Sequence, residues 1–331
     1  MRFFVAVNRV EEIGPRQTTA LLIAVMVRSG HEVYLLNING LSATNSGSCI
    51  RMIAHSVQVA AVADSAAVVA RFAAANPDLS PNAVTTDDLI LIRTNPGRDK
   101  RRMAAHSGLL ELCRVAQAAG IKVVNDPRSL EFFASKASLV SIHPDCCPES
   151  LVSNNPSEIV EFVKSAPDDC VLKPTIGSRG ENVVSLNGNT PDLESTVSRM
   201  TRFGGVIVQH FVHQTHPGDK RVILIGGDVL QVNGQYAGIE RRAADGDFRA
   251  NLHAGGSAHQ LQLSAEELDS SRYAATLLND NGIWLAGVDL IGSKIIEFNV
   301  FSTGGLFDAE RFCNCDFSSE IVRRLLHVSK P

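Results

Sequence analysis

The sequence predicts an α/β unit built on a parallel sheet, followed by an α+β unit of mostly antiparallel strands. Three observations predict it. Up to Asn125, short apolar strand-like runs alternate with helical runs, the pattern that places helices on both faces of a parallel sheet. After Asn125, strand-like runs come in close pairs joined by short polar turns, which reads as antiparallel. The chain has 331 residues, 44% hydrophobic and 20% charged, enough for two or three packed domains and unlike a disordered segment.

The elements follow in order. Phe3 to Val7 is a short apolar strand, and Thr18 to Val27 an apolar helical run that Gly30 stops. Glu32 to Leu36 is a second strand. Cys49 to Val62, β-branched and sprinkled with Arg and His, reads as a hairpin. Asn76 to Thr86, rich in Pro, Asn, Asp and Thr, reads as a loop. Leu89 to Ile92 is a buried strand, Met103 to Ala119 a helix ended by Gly120, and Lys122 to Asn125 another strand. Pro127 to Leu139 is helical. Strands are expected at Cys170 to Lys173, Asn182 to Leu186 and Val206 to Phe211, in a strand-rich stretch from Arg221 to Tyr236, and in one hairpin of Gly287 to Ile291 with Ile295 to Val300. Helices at Leu193 to Met200, Ala265 to Leu278 and Ser318 to Leu326 separate them.

Composition excludes several classes. The net charge of −4 gives no basic face for general nucleic-acid binding. No apolar run reaches the ~18–20 residues of a membrane span, and MRFFVAVNRV lacks the features of a signal peptide. Seven scattered Cys, with one adjacent pair at Cys146 and Cys147, do not form a disulfide framework. A cytoplasmic enzyme is expected. No GxGxxG follows the first strand, which argues against a dinucleotide-binding dehydrogenase. Only eight of the 31 Lys+Arg are Lys, so a Lys inside a motif stands out.

Three constellations carry chemistry. In VLKP followed by TIGSRGENVVSL, a strand ends in Lys173 and a loop with Gly177, Ser178 and Gly180 leads into the next strand. Backbone N–H groups at glycines can approach phosphate oxygens, and Lys adds a point charge. Taken alone, this is also what an ordinary hairpin turn looks like, and it is not a Walker A loop. In GVDLIGSKIIEFNV, Glu297 and Asn299 share one strand face, and Asp289 lies on the partner strand. Two carboxylates and an amide oxygen suit Mg²⁺; a solvent-facing acidic hairpin is the plain alternative, at odds with the apolar residues around it. A two-residue turn would place Asp289 and Glu297 on opposite faces, so a three-residue loop, Gly292-Ser293-Lys294, is expected. Third, Asp219-Lys220-Arg221 opens a strand, and a polar stretch from Arg241 to Gly256 carries Arg241, Arg242, Arg249 and Asn251 among glycines. Such a stretch is either a mobile surface loop or a lid over an anionic substrate. His210, His213 and His216 with Asp219 have a zinc-like spacing, but a strand precedes them and Pro217-Gly218 follows, which argues against a helical site. Cys313 and Cys315 are expected to be ordinary thiols.

In this order the motifs resemble the ATP-grasp ligases, specifically the bacterial glutathione synthetase family. The resemblance covers nearly the whole chain and is strongest from Val124 to Thr303. VVNDPRSLEFFASK resembles the family's entry into the ATP-binding domain, its closing Lys136 a nucleotide-phosphate ligand. PESLVSNNPSEIVEFV with DDCVLKP supplies the second, Lys173. VIVQHFV resembles the hinge whose backbone reads adenine, here Gln209, His210, Phe211 and Val212. GDKRV, RANLHAGG, GVDLIG and IIEFNV match further family motifs, and DDLILIRTNP ends in Arg93, which the resemblance turns towards substrate.

The resemblance implies an ATP-grasp fold with an N-terminal substrate domain (1–124), a small subdomain with the phosphate loop and lysines (125–204) and a C-terminal subdomain with hinge, lid and metal site (205–331). It implies ATP as cosubstrate, bound by Lys136, Lys173, Gly177, Ser178, Arg179, Gly180, the hinge and Lys220. Mg²⁺ or Mn²⁺ falls to Asp289, Glu297 and Asn299. Arg241 and Arg221 become catalytic, and Arg93, Arg249, Asn251, Gly255, Gly256, Ser302 and Thr303 bind substrate. The implied reaction joins γ-glutamylcysteine to glycine through an acyl phosphate, in a homodimer or homotetramer acting on small molecules without nucleic acid or membrane. Two departures stand out. The phosphate loop carries Arg179 where the family is more Gly-rich, and Phe301-Ser302-Thr303-Gly304-Gly305 replaces a T-S-P-T stretch near the acceptor. The alternatives are a ligase of the same fold with another donor, amine or protein tail, and an inactive nucleotide-binding regulator. Retention of Asp289, Glu297, Asn299 and Arg241 argues against the regulator.

Overall fold

The computed structural model describes residues 1–47, 49–73, 78–98, 100–177, 181–202, 204–213, 218–243 and 256–328. Its N-terminal sheet is built from β1 (Arg2–Val7), α1 (Thr18–Arg28), β2 (Glu32–Ser46), β3 (Cys49–Gln58), α2 (Ser65–Ala73), β4 (Ser80–Val84), β5 (Leu89–Ile92), α3 (Met103–Ala118) and β6 (Lys122–Val124). The strand order is β4-β3-β2-β1-β5-β6. β1 pairs in parallel with β2 and β5, and β5 with β6, as the alternating pattern predicts. β3 and β4 are antiparallel additions. The expected hairpin within Cys49 to Val62 is instead one strand whose partner is the long β2 upstream. β4 falls inside the expected loop: an edge strand can keep Pro81 and polar side chains because one side of it needs no ladder. Side chains of β1 alternate between two cores: Phe4 and Ala6 join the α3 side, while Phe3, Val5 and Val7 join the α1 side.

A four-stranded antiparallel sheet follows, ordered β7-β10-β8-β9. It comprises α4 (Pro127–Ala134), β7 (Ser150–Ser153), α5 (Pro156–Ser165), β8 (Cys170–Pro174), β9 (Val184–Leu186), α6 (Leu193–Thr201) and β10 (Val206–His210). The single helix expected over Pro127 to Leu139 is interrupted at Ser135. That side chain caps a 3-10 segment, Lys136–Ser141, by accepting from the Ala137 amide, and the Lys136 amide donates to the Thr175 carbonyl at 2.8 Å. The break brings Lys136 beside the loop after β8. Ile159, Val163, Leu172, Val197 and Val208 form a core of their own here.

The third sheet has the order β16-β15-β11-β17-β18. This part of the chain contains β11 (Gly218–Ile225), β12 (Asp228–Val229), β13 (Gln231–Val232), β14 (Gln235–Tyr236), β15 (Gly238–Arg242), β16 (Ser257–Gln260), α7 (Ala265–Asp280), β17 (Leu285–Ile291), β18 (Lys294–Asn299), α8 (Leu306–Cys313) and α9 (Phe317–Leu325); β12 pairs with β11, and β13 and β14 form a separate two-stranded sheet. Ser264 and Glu267 form a reciprocal cap at the start of α7. α8 was not expected from the sequence. α9 returns to the first sheet: Phe317, Ile321, Val322 and Leu325 share a core with α1 and β1. All seven Cys are free thiols. Among the described residues, no helix is long and apolar enough to cross a membrane.

Candidate active site

The hairpin of β17 and β18 places the acidic residues. Asp289 lies directly opposite Glu297, as expected, but by another route. Ile291 pairs with Lys294, so Gly292-Ser293 is a two-residue turn and not the expected three-residue loop. Gly292 takes the positive φ (54°) that such a turn requires. The register then shifts between Asp289 and Leu290, leaving Ile296 as an extra residue on β18. This bulge moves Glu297 and Asn299 onto the face of Asp289.

Two neighbouring strands add cations to that face. Asp219 pairs across β15 with Arg241, and Arg221 pairs across β17 with Asp289. Arg221 grips Asp289 with two bonds, Nε to Oδ1 at 2.7 Å and Nη2 to Oδ2 at 2.6 Å, and donates to Asn299 Oδ1 at 3.1 Å. Arg241 grips Asp219 in the same way (2.5 and 2.7 Å) and reaches Asp289 Oδ2 at 2.8 Å. Two guanidiniums and two carboxylates thus form one charge-balanced, mostly buried network. Burial alone would raise the Asp289 carboxyl, but Arg221 and Arg241 hold it well below the usual carboxylate range. The carboxylates of Asp289 and Asp219 keep the Arg241 guanidinium above its usual range despite burial. Strand alternation turns Lys220 to the opposite face, where Nζ pairs with Glu267 at 2.7 Å. The structure therefore does not bring Lys220 to this cluster.

A second cationic group flanks the acids. Lys136 Nζ donates to Glu297 Oε1 at 2.8 Å and to the Gly177 carbonyl at 3.2 Å. Lys173 Nζ donates to Gln209 Oε1 at 2.9 Å, and Gln209 Nε2 in turn donates to Ser150 Oγ. Burial, reinforced by the charge of Lys136, lowers Lys173 to about 8. Along the expected hinge, the His210 amide is bonded to Glu149 O and that of Phe211 to Asp169 O. The His210 ring packs against Phe162 on α5, and Phe211 lies against His213.

On the N-terminal side, Arg93 is buried. Its Nε donates to Thr19 Oγ1 at 3.2 Å and its Nη2 to the Thr303 carbonyl at 3.1 Å. A cavity of about 210 Å³ opens beside Gly177, Glu297 and Asn299 and runs between α3 and the segment after β18, past Met103, Leu110 and Ser302. Ser178, Arg179, Gly180, Arg249, Asn251 and Gly255 lie outside the described residues, as do His216 and most of the expected lid; Gly256 stands at the start of β16. Among the described residues, no group of three or more His, Cys, Asp or Glu forms a metal cluster. A site of two carboxylates and one amide remains compatible with that result. Its donors are hard oxygens, and among the described residues Asp289 Oδ1 accepts a single hydrogen bond. The residues therefore fit Mg²⁺.

Several site residues escaped the sequence reading. Thr19, which receives Arg93, and Met103 and Leu110 on α3 look like ordinary helix-face residues in sequence. Asp219 was visible inside its polar triplet, but only its cross-strand pairing with Arg241 shows its part.

The parallel-sheet N-terminal unit, the small antiparallel sheet carrying two lysines and the acidic hairpin together define an ATP-grasp ligase. The structure is similar to the ATP-grasp ligase PsnB complexed with minimal precursor (TM-score 0.62, 18% identity, 98% of each chain). It is also similar to the D-cycloserine synthetase DcsG (TM-score 0.63, 14% identity, 98% of this chain and 99% of that one). Residues 1–131 match the N-terminal domain of prokaryotic glutathione synthetase, and residues 137–314 match its ATP-grasp domain. The chain belongs to the prokaryotic glutathione synthetase family. Curated glutathione synthetases are similar to it: that of Parasynechococcus marenigrum (strain WH8102) is 30% identical over 240 residues, covering 72% of this chain and 74% of that protein. That of Coxiella burnetii (strain RSA 493 / Nine Mile phase I) is 27% identical over 307 residues, covering 92% and 89%. Membership makes the chain an ATP-dependent carboxylate–amine ligase.

Proposed function

We propose that this enzyme makes glutathione from γ-glutamylcysteine, glycine and ATP, releasing ADP and phosphate. The observation that carries the reading is the single sheet face on which Asp289, Glu297 and Asn299 meet Arg221 and Arg241, with Lys136 at its border. Lys136 and Lys173 bind ATP phosphates, with the backbone of the Gly177 loop beside them. The His210 and Phe211 amides are already bonded, so the hinge N–H that donates to adenine is that of Val212. Asp289, Glu297 and Asn299 would hold Mg²⁺, which supplies positive charge to the phosphates. Glu297 is shared between that role and Lys136, so ATP entry separates the pair and turns Lys136 to phosphate.

The chain then orients the two reactants. Arg93 faces the donor, and Arg221 and Arg241 lie where its carboxylate meets the phosphoryl group. After an acyl phosphate forms, the acceptor nitrogen adds to its carbonyl. Arg241, already fixed by Asp219, stabilises the oxyanion of that adduct without reorganising, and phosphate leaves as the amide forms. No nucleophilic side chain is needed. The enzyme is assigned to the cytoplasm, as a homodimer or homotetramer. A second reading draws on the cavity of about 210 Å³ beside Glu297, which has room for more than glycine: the same chemistry with a larger amine as acceptor.

Phosphate release with ATP, γ-glutamylcysteine and a panel of amines separates these. Release with glycine, and a product of the mass of glutathione, is expected. Release with another amine and not with glycine would support the second reading.

A further inference from the structure

Asn125 stands where β6 ends and the chain enters α4. Its side chain is 3% exposed and uses its full hydrogen-bonding capacity on backbone. Nδ2 donates to the carbonyls of Leu285 and Val300, both at 2.8 Å. Oδ1 accepts from the amides of Trp284 at 2.8 Å and Leu285 at 2.9 Å. Leu285 opens β17, and Val300 directly follows Asn299 at the end of β18.

The β17–β18 ladder ends at the pair Gly287 and Asn299. Beyond it the strands part: the chain after β18 turns so that the Thr303 carbonyl meets Arg93. A carboxamide carries the same donor and acceptor groups as a peptide unit, so Asn125 stands in for the missing rung and bridges the parted ends. The next residue continues the junction, the Asp126 amide donating to the Gly282 carbonyl at 3.0 Å.

We propose that Asn125 is a positioning residue for the phosphate-side metal site. It fixes the distance between the open ends of the hairpin, and so sets where Asn299 and Glu297 stand relative to Asp289. The inference rests on the assignment of that hairpin to Mg²⁺. Among the described residues, no partner of the Asn125 side chain belongs to the Lys136, Lys173 and Gln209 group, so its direct effect falls on the hairpin; Lys136 is reached through its ion pair with Glu297, which nucleotide binding breaks in any case.

Asn125→Asp keeps the shape but loses both donors and sets a carboxylate against two carbonyls. Asn125→Ser keeps one short donor. Three quantities are measured on each variant: thermal unfolding, ADP binding without metal, and Mn²⁺ binding to the enzyme–ADP complex by electron paramagnetic resonance. The expected result is a folded protein with unchanged metal-free ADP binding and Mn²⁺ affinity lowered ~10–100-fold, the range for residues that orient metal ligands. Wild-type Mn²⁺ affinity in either folded variant overturns the proposal. Equal losses of ADP and Mn²⁺ binding overturn it as well, and so does failure of both variants to fold, which would make Asn125 a requirement of the fold alone. A wild-type enzyme that binds ADP but no Mn²⁺ would instead sink the metal assignment of the hairpin.

Discussion

Lys173 and Arg241 show how burial and partners set the chemistry of single residues. Lys173 is lowered to about 8 by burial first and by Lys136 second. Below that pH the free enzyme carries its charge; above it, the amine is neutral until a polyanion restores the charge. Nucleotide binding between pH 8 and 9 should therefore take up a proton, and ADP affinity should weaken as pH rises through this range. Calorimetry in two buffers of different ionisation enthalpy checks this, and Lys173→Met should abolish the uptake. Arg241 bonds to both Asp219 and Asp289. Arg241→Ala leaves the buried Asp219 without its guanidinium and takes one of two guanidiniums from Asp289, at a cost of about 3–5 kcal/mol. In the variant that remains folded, kcat should fall by about 10²–10³-fold with little change in ATP binding. An unchanged kcat would remove Arg241 from the reacting centre. The family resemblance marked Arg241 in the sequence. Asp219, which orients it, is visible in its polar triplet but shows no role there, because strand pairing, not spacing along the chain, brings the two together.

The hairpin of β17 and β18 is the element on which the site turns. Its apolar alternation and its acids were legible, and so was the need for Asp289 to face Glu297. The bulge at Ile296 was not, because an extra residue in a strand leaves no mark in a short apolar sequence. Strand β4 was missed for a related reason: an exposed edge has no need of an apolar pattern. Gly287 lies two residues before Asp289, and a Cβ there would collide with the Thr303 hydroxyl. Gly287→Ala should displace the segment that receives Arg93, costing about 1–3 kcal/mol of stability and raising the KM for the donor more than that for ATP. Equal changes in both KM values would count against this coupling. Glu297→Gln removes the ion pair with Lys136 and one oxygen charge from the hairpin. The Mg²⁺ concentration for half-maximal rate should rise, whereas a superimposable titration curve would exclude Glu297 from the metal site.

The whole molecule is tied together through cores that ignore sequence order. α9, near the end of the chain, completes the apolar layer over β1 and α1, while the sheet of β7 to β10 keeps a separate core. Phe317 is fully buried in this core, and Phe317→Ala should cost about 3–5 kcal/mol in denaturant unfolding. A loss below 1 kcal/mol would mean that α9 packs elsewhere. Strand and helix alternation showed the sheets, but no local pattern could show that the last helix closes the first domain. At this scale the joined units serve one chemistry, ATP-dependent joining of a carboxylate to an amine, for which we propose phosphoryl transfer to the donor carboxylate before amide formation. The most direct test uses γ-glutamylcysteine with ¹⁸O in its cysteinyl carboxylate, together with ATP and glycine. One ¹⁸O should appear in the released inorganic phosphate for each glutathione formed. Phosphate free of ¹⁸O, with the expelled label in AMP or water, would contradict an acyl-phosphate ligase.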